Sequence, residues 1–145
     1  TDHYLTQYTY DEQDREIQQL SYLNDEVLGV HTNYKYDNSG NLLLVHNVDK
    51  DGQLKMKYEA TYNGAGKIEE STVTSYLGLE MTTIWKYSYD SKGYLILEEE
   101  YQDGKLAHVL KDHKYDEAGN LLSCNSYGVD GVVCTEYHYT YQRID

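Results

Sequence analysis

The sequence predicts an all-β protein, an antiparallel meander of about 10 or 11 strands arranged as a rolled sheet or an up-and-down barrel. Three observations predict it. A tyrosine returns at positions 10, 36, 62, 89, 115 and 141, at spacings of 26, 26, 27, 26 and 26 residues, a period typical of repeat architectures. A second turn signal follows each of the first five by about 15 residues: Asp51-Gly52, Gly78, Asp103-Gly104 and Asp130-Gly131, with Asn24-Asp25 as a glycine-free version. Between the turns apolar and polar residues alternate with the period of a half-buried strand, and no stretch keeps a helical period.

Each unit is therefore two strands and two turns. From Leu54 to Tyr62 the residues Leu54, Met56, Tyr58, Ala60 and Tyr62 fall on one face and Lys55, Lys57, Glu59 and Thr61 on the other. Leu28, Val30, Thr32, Tyr34 and Tyr36 form the matching face one repeat earlier, and Met81, Thr83, Trp85, Tyr87 and Tyr89 one repeat later. Val133, Thr135, Tyr137, Tyr139 and Tyr141 close the series. The returning tyrosines Tyr36, Tyr62, Tyr89 and Tyr115 are expected to be largely buried.

The turns that follow them have a definite geometry. Gly40, Gly66, Gly93 and Gly119 stand four residues after the tyrosine. A three-residue loop closed by a left-handed glycine sets Tyr36 opposite Leu42, Tyr62 opposite Ile68, Tyr89 opposite Leu95 and Tyr115 opposite Leu121. Asp37, Asp90 and Asp116 occupy the position whose carboxylate bonds turn N–H groups. The first unit departs from the pattern, with Asp14 where glycine is expected and Glu16 opposite Tyr10. It reads as an end cap with an exposed edge.

At 145 residues the chain is expected to be one domain over 1–145, with units at about 8–33, 34–60, 61–86, 87–112 and 113–141. Tyrosine occurs 18 times and phenylalanine never, so the chain calls for large rings whose outer edge meets a polar partner or water. A net charge of −13 repels polyphosphates and argues against nucleic acid as partner. No run reaches the roughly 18 to 20 apolar residues of a membrane-spanning helix. The chain opens on Thr1 rather than Met, which suggests a processed or excised segment.

The segments Tyr34-Lys35-Tyr36-Asp37-Asn38-Ser39-Gly40-Asn41-Leu42, Tyr87-Ser88-Tyr89-Asp90-Ser91-Lys92-Gly93-Tyr94-Leu95 and Tyr115-Asp116-Glu117-Ala118-Gly119-Asn120-Leu121 resemble the Tyr-Asp repeat of the YD, or Rhs, family. The resemblance recurs in phase from Tyr8 to Tyr141. Large members of that family, among them bacterial Rhs proteins, insecticidal toxin subunits and teneurins, wind such strands into hollow shells. Shorter bacterial secreted and surface proteins carry similar repeats in smaller sheets or barrels. The resemblance implies an extracellular or cell-surface setting and a non-catalytic module that binds a glycan or protein partner or acts as scaffold. Two alternatives stand beside it: a closed barrel holding a small apolar ligand among tyrosines, and a fragment of a larger toxin-type shell.

No enzyme chemistry is expected. The recurrent aspartates have turn roles, and no two acids are singled out as an acid–base pair. The histidines at 3, 31, 46, 108, 113 and 138 form no close ligand pair, so neither metal nor other cofactor is expected. Cys124 and Cys134 flank the Asp130-Gly131 turn on adjacent strands, where either a disulfide or two free thiols fits. If a ligand binds, the candidate rings are Tyr76, Tyr101 and Tyr127, which lie near the Asp-Gly-side turns and outside the repeating motif.

Overall fold

The alternation of tyrosine turns and Asp-Gly turns leaves segments of strand length and nothing longer. The computed structural model describes residues 2–24, 26–27 and 31–142, and among these it holds twelve strands and no helix. They are β1 (Tyr4–Tyr10), β2 (Glu16–Leu23), β3 (Glu26–Val27), β4 (His31–Tyr36), β5 (Leu42–Val48), β6 (Leu54–Tyr62), β7 (Ile68–Ser75), β8 (Met81–Tyr89), β9 (Leu95–Gln102), β10 (Lys105–Tyr115), β11 (Leu121–Tyr127) and β12 (Val133–His138). The two-residue β3 is the one element with no counterpart in the repeat pattern, and it pairs antiparallel with β2.

The chain divides into two compact units, Thr1–Thr82 and Thr83–Asp145. In the first, the strands follow the order β1-β2-β4-β5-β6-β7. In the second, the order is β8-β9-β10-β11-β12. Every pairing is antiparallel, and all but that of β2 with β4 join sequence neighbours, as short turns require. In neither unit do the strands close on themselves, so the sheet is open and the barrel form of the expectation does not occur. The physical reason lies in the ends: among the described residues β1 pairs with β2 alone and β12 with β11 alone.

Register follows the turns. Tyr36 stands opposite Leu42, Tyr62 opposite Ile68, Tyr89 opposite Leu95 and Tyr115 opposite Leu121, each beside a register shift. Tyr10 opposes Glu16 in the same way. The alternation of faces is clear next to the tyrosine turns, where Tyr58, Ala60 and Tyr62 are more covered than Glu59 and Thr61, and it fades toward Leu54. Leu28 and Val30 lie outside the described residues, as does Asp25 of the Asn24-Asp25 turn.

Burial corrects the sequence expectation. The rings of Tyr36, Tyr62, Tyr89 and Tyr115 are half-buried rather than largely buried. No helix covers a face of the sheet among the described residues, so a ring is shielded by its strand neighbours. Full burial is confined to small side chains between larger ones: Ala60, Ser71 and Thr74 in the first unit and Cys124 and Ser126 in the second. The series Val133, Thr135 and Tyr137 on β12 is exposed throughout, because an edge strand has a neighbour on one side only.

Candidate functional site at the turn rim

The repeated Asp sits where the chain reverses, and its carboxylate organises the reversal. Asp37 donates its backbone N–H to the Asn41 carbonyl at 2.9 Å and accepts from the Gly40 N–H at 3.2 Å. Its Oδ1 accepts from the N–H groups of Ser39 and Asn41, both at 2.8 Å, and its Oδ2 from the Asn41 side chain at 2.8 Å. Asp116 repeats the arrangement with Ala118 and Asn120, and Asp90 with Lys92 and Tyr94. Asn63 does the same with its amide oxygen, which is why an uncharged residue can stand at this place. Asp49 builds an equal loop at the opposite turn, where the Lys55 ammonium at 2.7 Å takes the part of the asparagine side chain.

The tyrosine belongs to the same device, through a contact invisible to a single repeat. The Tyr36 hydroxyl donates to the Glu16 carbonyl at 2.9 Å, Tyr62 to Leu42 at 2.9 Å, Tyr115 to Leu95 at 2.8 Å and Tyr141 to Leu121 at 2.8 Å. In each the acceptor lies 20 residues back, on the first residue after the preceding tyrosine turn. A register shift at that turn withdraws a ladder partner, and the phenol supplies a donor to the carbonyl. Phenylalanine would fill the space and leave the oxygen unmet. At these four positions the bond is a physical reason for tyrosine over phenylalanine.

In the first unit two successive turns border a cleft of ≈ 650 Å³, lined by Asp37, Ser39, Asn41, Tyr62, Asn63, Gly64, Ala65 and Gly66. Its acidic and phenolic groups are already engaged in the turns. Both Asp37 oxygens accept, the Tyr62 hydroxyl donates to the chain, and the Asn63 oxygen accepts twice. A carboxylate so engaged is a poor general base, since protonating it breaks the loop. The Asn41 side chain and the turn amides hold Asp37 below the usual carboxylate range, and Asn120 and its amides do so for Asp116. The Lys55 ammonium lowers Asp49.

These shifts fix a pH dependence. Groups with a lowered folded pKa contribute stability above the unfolded value, 3.8 for Asp, and lose it as pH falls through the folded value. Glu98 acts oppositely: burial raises its pKa above 4.5, with the charges of His108 and His113 pulling it partly back. Its ionisation costs stability at neutral pH, and that cost is relieved as pH falls through the raised value. The urea midpoint is expected to hold or rise as pH falls from 7 toward 4.5 and to fall below pH 3.8, the window set by these directions. The double variant Asp37→Asn, Asp116→Asn should flatten the acid limb, and an acid limb as steep as the parent's would contradict this assignment.

The sequence missed the polar group around Glu98. On β9 it opposes Tyr87 on one side and Leu110 on the other, and His108 is hydrogen-bonded through Nε2 to the Ser126 hydroxyl. His113 stacks near Tyr115 with ring centroids 6.4 Å apart, and its Nδ1 is buried without a partner. A Ser, a His and a Glu share this region, but Ser126 is only 2% exposed, so its oxygen cannot meet a substrate. Phase along β9 and β10 was the available signal, and the register shift between Leu106 and His108 hid it.

The three candidate rings fall on different elements. Tyr76 lies in the first unit, just past β7, and donates its backbone N–H to the Lys55 carbonyl at 2.9 Å. Tyr101 and Tyr127 lie in the second unit, on β9 and β11 with β10 between them. Each carries a cation: the Lys86 ammonium 5.3 Å from the Tyr101 centroid and the Lys111 ammonium 4.2 Å from that of Tyr127. Tyr127 also donates its hydroxyl to Asp112, a residue with φ of 59° in the irregular stretch of β10. Cys124 and Cys134 are both free thiols, the first buried and the second exposed. Cys124 pairs in register with Tyr137, three residues along β12 from Cys134, so the two sulfurs do not oppose each other.

No protein-family model matches the sequence, and no curated protein is significantly similar to it. The fold does recur among solved structures. A chain in the structure of the Photorhabdus luminescens Tc holotoxin pore superposes with a TM-score of 0.56 at 12% identity, covering 93% of this chain and 8% of that one. Chains in the crystal structures of TcdB2-TccC3-Cdc42 and TcdB2-TccC3-TEV align over 94% of this chain and 8% of theirs at 20% identity, with TM-scores of 0.41 and 0.40. The first likeness concerns the fold alone, and this chain spans about 8% of the length of that toxin chain.

Proposed function

We propose that this chain is a non-catalytic scaffold of YD-repeat type, a stretch of the β-wall that large shell-forming proteins build, working in a secreted or cell-surface setting. The observation that carries this reading is the hydroxyl-to-carbonyl bond spanning 20 residues at Tyr36, Tyr62, Tyr115 and Tyr141. At these four places it fastens a unit to the one before, and it is indifferent to how many units there are. Such a joint suits an extensible wall, whereas an active site needs singular residues with unspent polar groups. The fold shared with a segment of a Tc toxin chain supports the same reading.

Deletion tests it. Removing residues 37–62, one whole 26-residue unit, joins Tyr36 to Asn63 in phase and should leave a β-rich protein that unfolds cooperatively at a lower midpoint. Removing residues 37–49, half a unit, reverses the strand direction and should not fold. Equal collapse of both variants would overturn the extensible-wall reading. A panel of glycoside, ester and peptide substrates should show no turnover, and turnover abolished by Glu98→Gln would overturn the non-catalytic part. If a glycan array finds a ligand, the triple variant Tyr76→Ala, Tyr101→Ala, Tyr127→Ala is expected to lose it. Binding untouched by that variant would move the contact to other residues.

A further inference from the structure

The outer edge of β1 lacks what four joints inside the chain have. Tyr10 is the first of the returning tyrosines, its backbone pairs with Glu16 as the others pair with their partners, and its ring is 55% exposed. No acceptor among the described residues meets its hydroxyl, whereas Tyr36, Tyr62, Tyr115 and Tyr141 each donate to a carbonyl 20 residues back. The strand itself gives a second and independent sign. In a chain of which 26% is charged, the seven residues of β1, Tyr4-Leu5-Thr6-Gln7-Tyr8-Thr9-Tyr10, carry no charge and no proline. An edge strand left to water is ordinarily blunted by such residues, because its unpaired N–H and C=O groups are a template for another strand. The other terminal strand, β12, does carry a charge at Glu136.

We infer that the free edge of β1 is a docking edge whose occupant is a return strand of another YD-type unit, one that leaves a tyrosine turn and presents its first carbonyl to the Tyr10 hydroxyl. The inference rests on the scaffold reading above and names the partner of one of its edges. Continuity with the joints inside the chain selects this occupant: β2 meets β4 and β5 meets β6 through the same ladder and the same phenol bond. Tyr4, Leu5 and Tyr8, at 68%, 47% and 49% exposure, would be covered by the incoming strand. A second intact copy does not fit, since the terminal strands it offers, β1 and β12, both run into a repeat tyrosine instead of out of its turn. Main-chain hydrogen bonds supply the attraction in such strand addition, and the alternate side chains set the register.

The test supplies the missing strand. A copy of residues 42–53, which form β5 and its Asp49–Gln53 turn, is fused in place of Thr1. The spacing from the copied Leu42 to Tyr10 is then 20 residues, as it is from Leu42 to Tyr62. The urea midpoint of the fusion should exceed that of the parent. Tyr10→Phe should lower the midpoint in the fusion and leave the parent unchanged. A fusion no more stable than the parent, with Tyr10→Phe indifferent in both, overturns the proposal. A second measurement keeps it testable if the fused strand fails to seat: the free 42–53 peptide, added to the unfused chain, should slow amide exchange in β1 and not in β12. Exchange unaltered by peptide and by fusion alike overturns the proposal, as does protection of β1 that grows with protein concentration alone, since a second copy would then hold the edge. The deletion and turnover experiments read the scaffold assignment separately, so either idea can fail without the other.

Discussion

Gly119→Val should cost about 2–4 kcal/mol of folding stability, roughly twice what Gly40→Val costs, although the two glycines hold the same place in the repeat. Both have left-handed backbones, with φ of 86° and 89°, and a Cβ in that region carries a penalty of roughly 1–2 kcal/mol at either site. Only Gly119 adds a collision. A Cβ there would lie 2.8 Å from the Tyr94 hydroxyl and 3.0 Å from its ring, whereas at Gly40 nothing comes within 4 Å. Tyr94 cannot readily swing aside, because it stacks on Tyr115 with ring centroids 4.8 Å apart. Urea denaturation gives the two losses, and a double-mutant cycle separates their causes. With Tyr94→Ala in place, Gly119→Val should cost no more than Gly40→Val. Equal losses for the two single variants would show that the ring gives way and that backbone angle alone matters.

Much of the fold was legible because turn chemistry is local. Five residues of the form Asp-x-x-Gly-x carry the carboxylate, the amides it accepts from and the left-handed residue that closes the loop, and the opposition of Tyr36 to Leu42 follows from counting through it. Asp14 shows how far this reaches: with φ of 58° it holds the glycine position without a glycine, and Arg15 ties the loop by bonding Asp11 at 2.7 Å and the Asp37 carbonyl at 3.0 Å. What stayed hidden depends on neighbours distant in sequence. The use of tyrosine over phenylalanine suggested a ring with a polar edge, but the partner proved to be a backbone oxygen 20 residues away, which composition cannot name. Depth of burial was overestimated for the same reason, since alternation tells which face a ring takes and not whether anything lies over that face. The cations on Tyr101 and Tyr127 arise from diagonal pairing between strands, Lys86 lying two residues from the Ile84 opposite Tyr101 and Lys111 two from the Val109 opposite Tyr127, and His108 reaches the polar group around Glu98 beside a register shift, where counting by twos fails.

Tyr115 is the place where these contacts converge, so its two substitutions should divide the tyrosine's contribution into ring and hydroxyl. Tyr115→Ala removes the stacking on Tyr94, the neighbour of His113 and the donor to Leu95 together. Truncating a fully buried aromatic costs about 3–5 kcal/mol, and a half-buried ring should lie near the lower end, at about 2–3 kcal/mol. Tyr115→Phe keeps the ring and strips only the donor from the Leu95 carbonyl, for which an unmet acceptor costs about 1–3 kcal/mol if water cannot reach it. The expected order of urea midpoints is parent, then Tyr115→Phe, then Tyr115→Ala. Tyr141→Phe is the control, because its bond to the Leu121 carbonyl is of equal length but lies at an exposed site where water replaces the phenol. It should therefore lose less than Tyr115→Phe. If both phenylalanine variants matched the parent, the hydroxyl would be incidental and the period would record ring packing alone. A loss at Tyr115 and little at Tyr141 would show that the phenol bond matters where a further strand shields it, which is the condition an interior unit meets and a terminal one does not.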